Sequence, residues 1–254
     1  MLPEERLMLI VEQINQEGAV TVKALSEQYG VTPDMIRKDL TKLEKQGLLK
    51  KSHGGAVKVR MAARDFQVEE RMGKNNPEKR KIASRALELI EDGDVVFLDI
   101  STSNIELARL LVNRFRHVVI VTNMIEIMQL LREAGYKELI FLGGTLSDKR
   151  EGFVGALTNQ QIQQFRFDKA FLGVVGVDLA ENKVATYDPE DGITKRTVMG
   201  SSRKSYMMLE SRKLEEDGQF WYAKVSDFTG AVMEKEPDAE AVKKAVNYSL
   251  EWYS

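Results

Sequence analysis

The chain has 254 residues, of which 43% are hydrophobic, enough for one large domain or for a small domain and a medium one. It has no cysteine and only two histidines, which excludes disulfides and thiolate metal sites, so we expect no cofactor. The net charge of −2 does not fit a chain that binds nucleic acid over its whole surface, and the acidic N-terminus and short apolar runs predict a cytoplasmic protein without a membrane partner.

The first thirty residues predict two helices. Pro3 opens the first helix, where its missing N–H is not needed, and Gly18 ends it. Thr21 caps the second helix, and Gly30 ends that one. The residues expected to face inward are Leu7, Ile10, Val11 and Ile14 in the first helix and Ala24, Leu25 and Tyr29 in the second.

Residues 31–47 predict a third helix with one buried and one basic face. Thr32 is its cap and Gly47 ends it. The expected buried stripe is Ile36, Leu40 and Leu43, and the residues that must then point outward are Met35, Arg37, Lys38, Thr41, Lys42 and Lys45. Two helices joined by a tight turn, the second basic on its outer face, predict a helix-turn-helix.

A short basic hairpin follows the third helix and predicts a winged variant. It turns at residues 53–55, where Gly54 and Gly55 are expected to supply positive φ angles. Residues 34–59 hold seven basic and three acidic side chains, a net charge of +4 within an otherwise acidic chain. A basic helix followed by a basic ribbon fits a DNA duplex, with the helix in the major groove and the ribbon against the phosphates.

Eleven residues of this segment are predicted to contact DNA. They are Thr32, Asp34, Met35, Arg37, Lys38, Thr41, Lys42, Lys45, Lys51, His53 and Gly54. Arg37 and Lys38 could reach guanine edges or phosphates, and the sequence leaves both open. The alternative is a three-helix module that binds protein and not DNA. DNA is favoured because the caps, the turn, the basic face and the basic hairpin agree.

From Pro77 onward, strands alternate with helices. Strands are expected at residues 94–99, 117–121, 138–142, 168–174 and 205–209, and helices at residues 82–90, 105–111, 124–131, 192–203 and 239–252. This alternation predicts an α/β domain with a mostly parallel sheet covered on both faces. The expected organisation is a winged helix-turn-helix domain at residues 1–59, a linker at residues 60–76 and an α/β domain at residues 77–254.

Ligands of such folds bind beyond the carboxyl ends of the strands, where hydroxyl, amide, glycine and charged residues gather in this chain. Hydroxyl side chains and N–H groups at a helix N-terminus suit an anion, and glycines let a ligand approach the backbone. Each residue alone is more often a cap, a turn residue or a solvated lysine, but their shared position favours a site for a small phosphorylated polyol. The predicted contacts are Asp99, Ser101, Thr102, Ser103, Asn104, Thr122, Asn123, Gly143, Gly144, Asp178, Asp191, Lys195 and Lys213.

The N-terminal segment resembles the DNA-binding domain of the DeoR family of bacterial transcriptional regulators. That family's signature couples a V-S-x-x-T-I-R-R-D-L helix to a wing that ends in H-G-G-A. The matching residues here are Val31, Thr32, Ile36, Arg37, Asp39, Leu40 and the run His53, Gly54, Gly55 and Ala56. The chain departs at Met35 and Lys38, where the family usually has threonine and arginine. Lysine lacks the bidentate fork of arginine, so a different operator, or a phosphate contact by Lys38, is expected.

Residues 79–229 resemble the sensor domain of the same family, which is related to ribose-5-phosphate isomerase. The matches are KIASRALELIEDGDVVFLD, VTN at 121–123, LGG at 142–144, DKAFLGVVGVD at 168–178, and Ser211 with Lys213. The resemblance implies a repressor of carbohydrate-metabolism genes that binds a double-stranded DNA operator as a dimer or tetramer and answers to a phosphorylated sugar or related metabolite. The departures, which bear on the identity of this effector, are Ser101 for glycine, Asp191 for glutamate, Glu210 for aspartate and Met233-Glu234 for a closing T-D.

Two other functions stay open at this stage. A sugar-phosphate isomerase with an accessory N-terminal module would need a carboxylate base, and Asp178, Asp191 and Lys195 are present. The related isomerases carry an aspartate where Val175 stands here, and a glutamate near the shorter Asp191. The other possibility is a regulator whose pocket has lost its ligand.

Overall fold

The structure is a computed structural model that describes residues 3–58, 61–62, 76–114, 117–147 and 151–254. Its contacts divide the chain into two compact units, Met1–Met61 and Ala62–Ser254. Of the predicted linker, residues 60–76, only residues 61, 62 and 76 are among the described residues. Within the described residues, no helix is long and apolar enough to cross a membrane.

The N-terminal unit is a three-helix domain with a three-stranded antiparallel sheet. Its elements in chain order are α1 (Pro3–Glu17), β1 (Ala19–Thr21), α2 (Val22–Tyr29), α3 (Pro33–Lys45), β2 (Leu49–Ser52) and β3 (Gly55–Lys58). The three predicted helices are confirmed, and Thr21 and Thr32 cap α2 and α3 through their side-chain oxygens. The predicted stripes of α1 and α3 form the core, together with Leu25.

Two details of this unit differ from the sequence analysis. Ala24 is exposed, because the inward side of α2 runs through Leu25 and the half-buried Tyr29, one helical turn apart. Gly54 has the expected positive φ of 82°, but Gly55 does not need one. Gly55 lies in β3, where a Cβ atom would come within 1.9 Å of the Val20 carbonyl oxygen, so glycine there permits the close pairing of β3 with β1.

The C-terminal unit is an α/β domain built on a seven-stranded, entirely parallel sheet. After β4 (Met61–Ala62), its sheet strands are β5 (Val95–Leu98), β6 (Val119–Thr122), β7 (Leu139–Phe141), β10 (Phe167–Gly173), β13 (Ser202–Leu209), β16 (Gly230–Met233) and β17 (Glu251–Tyr253). The strand order is β17-β16-β13-β10-β5-β6-β7. The predicted mostly parallel sheet is therefore confirmed.

Helices and short strands complete this domain. The helices are α4 (Asn76–Glu88), α5 (Thr102–Arg114), α6 (Ile125–Glu133), α7 (Ala156–Ile162), α8 (Pro189–Gly200) and α9 (Ala239–Ala245). The short strands are β8 (Thr145–Leu146), β9 (Phe153–Val154), β11 (Gly176–Asp178), β12 (Lys183–Thr186), β14 (Glu216–Asp217) and β15 (Phe220–Ala223). The strands β11, β12 and β15 form a separate small antiparallel sheet.

Both faces of the large sheet are buried. Successive residues of one strand belong to different apolar clusters. Val96 of β5 and Phe171 of β10 lie in one cluster, and their neighbours Phe97 and Leu172 lie in the other. Side chains of a strand alternate between its two faces, so the part of a strand with both faces covered is apolar at nearly every position. The continuous apolar runs in the sequence have this cause.

The helix predicted near the C-terminus is wrong in its second half. The helix expected at residues 239–252 ends at Ala245, and the chain continues through a 3₁₀ turn, Val246–Tyr248. Ser249 then takes a left-handed φ of 52°, which no helix continues. Residues Glu251–Tyr253 form β17, the edge strand beside β16, so Trp252 belongs to the sheet and not to a helix.

Candidate functional site

The outer face of α3 is a basic surface held in place by the opposite, buried face. The buried stripe is Ile36, Leu40 and Leu43, all at most 2% exposed. Asp39 adds a directional contact, because its Oδ2 accepts from Arg6 Nε of α1 at 2.7 Å in a buried ion pair. A groove of about 370 Å³ on the outer face is lined by Arg37, Lys38, Thr41, Lys42 and Lys45.

The N-terminal turn of α3 carries the remaining predicted contacts of this helix. Thr32 accepts from the Met35 N–H at 3.3 Å, and the Met35 side chain is 45% exposed. Asp34 is exposed and pairs with Arg37, with 2.5 Å between Oδ1 and Nη1. The Thr41 hydroxyl donates to the Arg37 carbonyl at 2.7 Å, so it is tied to the helix backbone.

The hairpin of β2 and β3 lies beside this face. Lys51 donates from its backbone N–H to Glu44 Oε1 at 2.8 Å and from its Nζ to Thr41 Oγ1 at 3.0 Å. His53 and Gly54 are exposed at the tip of the hairpin. The structure thus brings Lys51 onto the same surface as the lysines of α3, and this surface suits the phosphates of a duplex.

We expect Lys51→Ala to weaken binding to all DNA sequences by a similar factor. Its ammonium is expected to neutralise one phosphate, so the slope of log affinity against log salt should fall by about 0.9. The wing itself should persist, because the hydrogen bond to Glu44 comes from the Lys51 backbone. The measurement is fluorescence anisotropy with labelled duplexes over a salt series. Lys243→Ala, which removes an exposed lysine of α9, is the control, and an equal slope in the two variants would contradict the contact.

A second polar cluster lies at the carboxyl ends of the central strands in the α/β domain. Asp99 follows β5 and is 3% exposed. The Gly173 N–H donates to both of its carboxylate oxygens at 3.0 Å, and Asn104 Nδ2 donates to Oδ1 at 2.6 Å. Lys195 of α8 forms an ion pair with Asp99 and lies 3.3 Å from Asp191, which also accepts from the Thr186 hydroxyl at 2.6 Å.

The charges of this cluster depend on each other. Burial works to lower the pKa of Lys195, but the carboxylates of Asp191 and Asp99 outweigh it and raise that pKa. Burial raises the pKa of Asp99, while Lys195 and the Gly173 N–H oppose it. The raised pKa of Lys195 favours its charged form, whereas the raised pKa of Asp99 favours its neutral form. We assign the ion pair, because hydrogen-bond donors from Lys195, Asn104 and Gly173 all converge on the Asp99 carboxylate.

The predicted phosphate loop opens α5 next to this cluster. Its four residues, Ser101, Thr102, Ser103 and Asn104, are all buried. The Ser101 carbonyl accepts from the Asn104 and Ile105 N–H groups, which forms the first helical turn. A Cβ atom on Gly173 would come within 2.5 Å of the Ser101 Cβ, so the glycine that ends β10 makes room for serine at this position.

The predicted residues at the ends of β6 and β7 mainly form hydrogen bonds to neighbouring strands and helices. Thr122 donates to the Leu98 carbonyl at 2.7 Å, and Asn123 donates to the Phe153 carbonyl at 2.7 Å. The Gly143 carbonyl accepts from the Thr158 hydroxyl at 2.9 Å. At Gly144, which has a φ of 157°, a Cβ atom would clash with the same hydroxyl. The buried Oδ1 of Asn123, in contrast, has no hydrogen-bond partner among the described residues.

Asp178 and Lys213 have different surroundings. Asp178 accepts from the N–H groups of Ala180 and Glu181, both at 2.9 Å, and so closes the turn after β11. Lys213 donates to the Val174 carbonyl at 2.7 Å, directly beyond the end of β10. Direct contacts therefore join Asp99, Asn104, Asp191 and Lys195 of the predicted set, while Asp178 belongs to the small sheet.

Sequence reasoning missed Tyr222. This residue of β15 is 2% exposed, and within the described part of the chain its hydroxyl has no hydrogen-bond partner. Burial raises its pKa well above the usual value, and the nearby carboxylates of Asp99 and Asp191 raise it further. The residue lies in the run Phe-Trp-Tyr, where three successive aromatic residues hide the alternation that would show which one faces inward.

The chain combines a winged helix-turn-helix, basic on its outer face, with an α/β domain that holds a buried polar cluster. This combination defines the class of ligand-responsive transcriptional regulators. The model of the DeoR-like helix-turn-helix domain matches residues 6–61, and that of the DeoR C terminal sensor domain matches residues 74–235. The chain belongs to the DeoR family and is a DNA-binding transcriptional regulator, not an enzyme.

Similar proteins include two further regulators. The HTH-type transcriptional regulator FruR of Bacillus subtilis is 32% identical over 232 residues, which is 90% of each chain. The lactose phosphotransferase system repressor of Staphylococcus epidermidis is 30% identical over 247 residues, or 96% of each chain. Among solved structures, ribose 5-phosphate isomerase A of Methanocaldococcus jannaschii matches with a TM-score of 0.40 and 18% identity, covering 55% of this chain and 53% of that one.

Proposed function

We propose that this protein represses genes of carbohydrate metabolism and that a phosphorylated sugar bound to its sensor domain sets its affinity for an operator. The observation that carries the proposal is the buried cluster of Asp99, Lys195 and Asp191 at the carboxyl ends of the parallel strands. Ligands of open parallel sheets bind at these ends. The names of the relatives, which include a lactose phosphotransferase system repressor, support a sugar as the signal.

The predicted DNA contacts form the second part of the proposal. The outer face of α3 and the hairpin present exposed cations on one surface, and the Arg6–Asp39 pair fixes the helix beneath them. A single winged helix buries little DNA surface, so we infer that two or more copies of the chain read repeated or inverted half-sites. A dimer and a tetramer both satisfy this requirement.

The charges of the cluster indicate how the effector is oriented. Two carboxylates surround one ammonium, so the cluster carries net negative charge and repels a phosphate. It suits sugar hydroxyl groups. The Tyr222 hydroxyl and the Asn104 Oδ1, which are buried and have no partner in the ranges that the structure describes, could bond to the same sugar. The phosphate is then expected at the N-terminus of α5, where backbone N–H groups and the helix dipole favour an anion.

We expect one sugar phosphate to change the affinity for DNA by at least about fivefold, the lower end of typical allosteric coupling. The duplex is the promoter region of the chain's own gene, and anisotropy is measured with a panel of sugar phosphates and with the same sugars lacking phosphate. Asp191→Asn should keep DNA binding but lose the response. Because Asp191 is partly exposed and its partners persist, the domain should still fold.

Two outcomes would contradict the proposal. If the sugar without its phosphate changes the affinity for DNA equally well, the protein does not recognise the phosphate. No change in DNA affinity or melting temperature with any sugar phosphate, with DNA binding intact, would favour a regulator that has lost its ligand.

A further inference from the structure

Asp34 places an exposed carboxylate next to the basic surface of α3. The side chain of Asp34, in the first helical turn, is 83% exposed, and Arg37 and Lys38 follow it at the three- and four-residue spacings that share one face of a helix. Opposite a DNA phosphate, a carboxylate would oppose binding through like-charge repulsion. In the first turn its charge suits the helix dipole, and toward DNA it is favourable only where it contacts a group other than phosphate.

Asp34 has one partner within its own helix. Its Oδ1 accepts from Arg37 Nη1 at 2.5 Å, and both side chains are more than half exposed. Exposed ion pairs of this kind and an acidic residue in the first turn each contribute only about 1 kcal/mol or less to stability. The geometric effect of the pair is to hold the guanidinium of Arg37, which has five N–H donors, near the N-terminus of α3.

The major groove offers few groups that a carboxylate can bind. Among the base edges, only the exocyclic amino groups of cytosine and adenine are donors, whereas the others are acceptors or a methyl group. The N-terminal residues of a recognition helix are those that reach base edges. The carboxylate of Asp34 has a second oxygen, Oδ2, in addition to the one bound by Arg37.

We infer that Asp34 and Arg37 read bases as one unit: Asp34 accepts a hydrogen bond from the exocyclic amino group of cytosine or adenine and keeps Arg37 aligned on the acceptor edge of a guanine. The inference rests on the proposed binding of an operator by α3. It assigns Asp34 a role in specificity and leaves phosphate binding to the lysines of the helix and the hairpin.

The test is selection of binding sites from a randomised duplex pool by the full-length protein and two variants. The wild type should require cytosine or adenine at one position of each half-site. Asp34→Ala should keep the rest of the selected sequence and lose preference at that position, where discrimination should fall by about fivefold to a hundredfold. Glu12→Ala removes the same charge from the exposed side of α1 and should leave the selected sequence unchanged.

Base analogues then identify the group that Asp34 contacts. Zebularine in place of cytosine and nebularine in place of adenine each lack the amino group and little else. The effective analogue should weaken binding by the wild type and have no effect on Asp34→Ala. Asp34→Asn, which has both a donor and an acceptor, should shift the preference toward adenine, whose edge has both.

Three outcomes are distinguishable. If Asp34→Ala binds every sequence more tightly with the preference unchanged, the carboxylate only repels DNA and the inference is wrong. If the analogues weaken binding by the wild type and by Asp34→Ala equally, the amino group has another partner, and the inference is again wrong. If the wild type itself selects no sequence, the proposed operator binding by α3 fails, and the inference fails with it.

Discussion

Replacing Lys195 by methionine is expected to lower the free energy of unfolding of the sensor domain by about 3–5 kcal/mol, the usual cost of breaking a buried ion pair from one side. The ammonium of Lys195 is shared by Asp99 and Asp191, and Asp99 is 3% exposed. Methionine fills a similar volume but leaves the Asp99 carboxylate buried without a compensating charge. The loss should therefore come from electrostatics and not from a cavity.

The measurement is urea unfolding followed by tryptophan fluorescence. Both tryptophans of the chain, Trp221 and Trp252, lie in strands of the sensor domain, so this signal reports on that domain alone. The matched control is Lys204→Met on an exposed position of β13, which should change the free energy of unfolding by no more than about 0.5 kcal/mol.

A double variant separates the charge from the shape of the side chain. Adding Asp99→Asn to Lys195→Met removes the uncompensated carboxylate, so the pair of changes should cost less than the sum of the two single changes. Additive effects, or a Lys195→Met protein as stable as the wild type, would show that the two groups are not ionised together.

Arg37→Ala is expected to abolish specific binding to the operator. A bidentate contact between arginine and guanine contributes about 1–3 kcal/mol, so a dimer that loses one contact in each head should lose about 2–6 kcal/mol. The side chain of Arg37 is 61% exposed and has no role in the core, so the fold should be unchanged. Asp34 would also lose its partner, which adds an unneutralised carboxylate to the DNA-facing surface.

Arg37→Lys is the matched control for charge, because lysine keeps the positive charge without the fork of donors. Anisotropy with the operator and with an unrelated duplex of equal length gives the ratio of specific to nonspecific binding. Both variants should lower this ratio, while Arg37→Lys should keep most of the nonspecific affinity. Operator binding equal to that of the wild type in Arg37→Ala would show that α3 does not read the DNA through this residue.

The sequence was most informative where the determining interactions are local. The caps Thr21 and Thr32 and the terminal glycine at position 47 act within four residues, and the 3.6-residue period of α3 places its outer face once the buried stripe is known. The same holds for the parallel sheet, because strand segments buried on both faces are apolar at nearly every position.

The sequence was least informative where residues distant along the chain meet. Asp99 and Lys195 were both predicted as ligand contacts, but 96 positions separate them, and only the strand order and the position of α8 bring them together. Likewise, the sequence predicts Gly55 to be a turn residue, and only its pairing with β1 shows that glycine is needed there for close contact. The edge strand β17 was read as part of a helix, because three residues are too few to show a period.

The buried pair between Arg6 and Asp39 changes how the local charge around α3 is counted. The net charge of +4 for residues 34–59 includes Asp39 as a negative charge, yet Arg6, which lies outside that segment, neutralises it inside the fold. The surface around α3 is therefore one charge more positive than its stretch of sequence. Because Arg6 lies beside Asp39, the field close to α3 is set by its exposed cations with little opposition from the buried carboxylate.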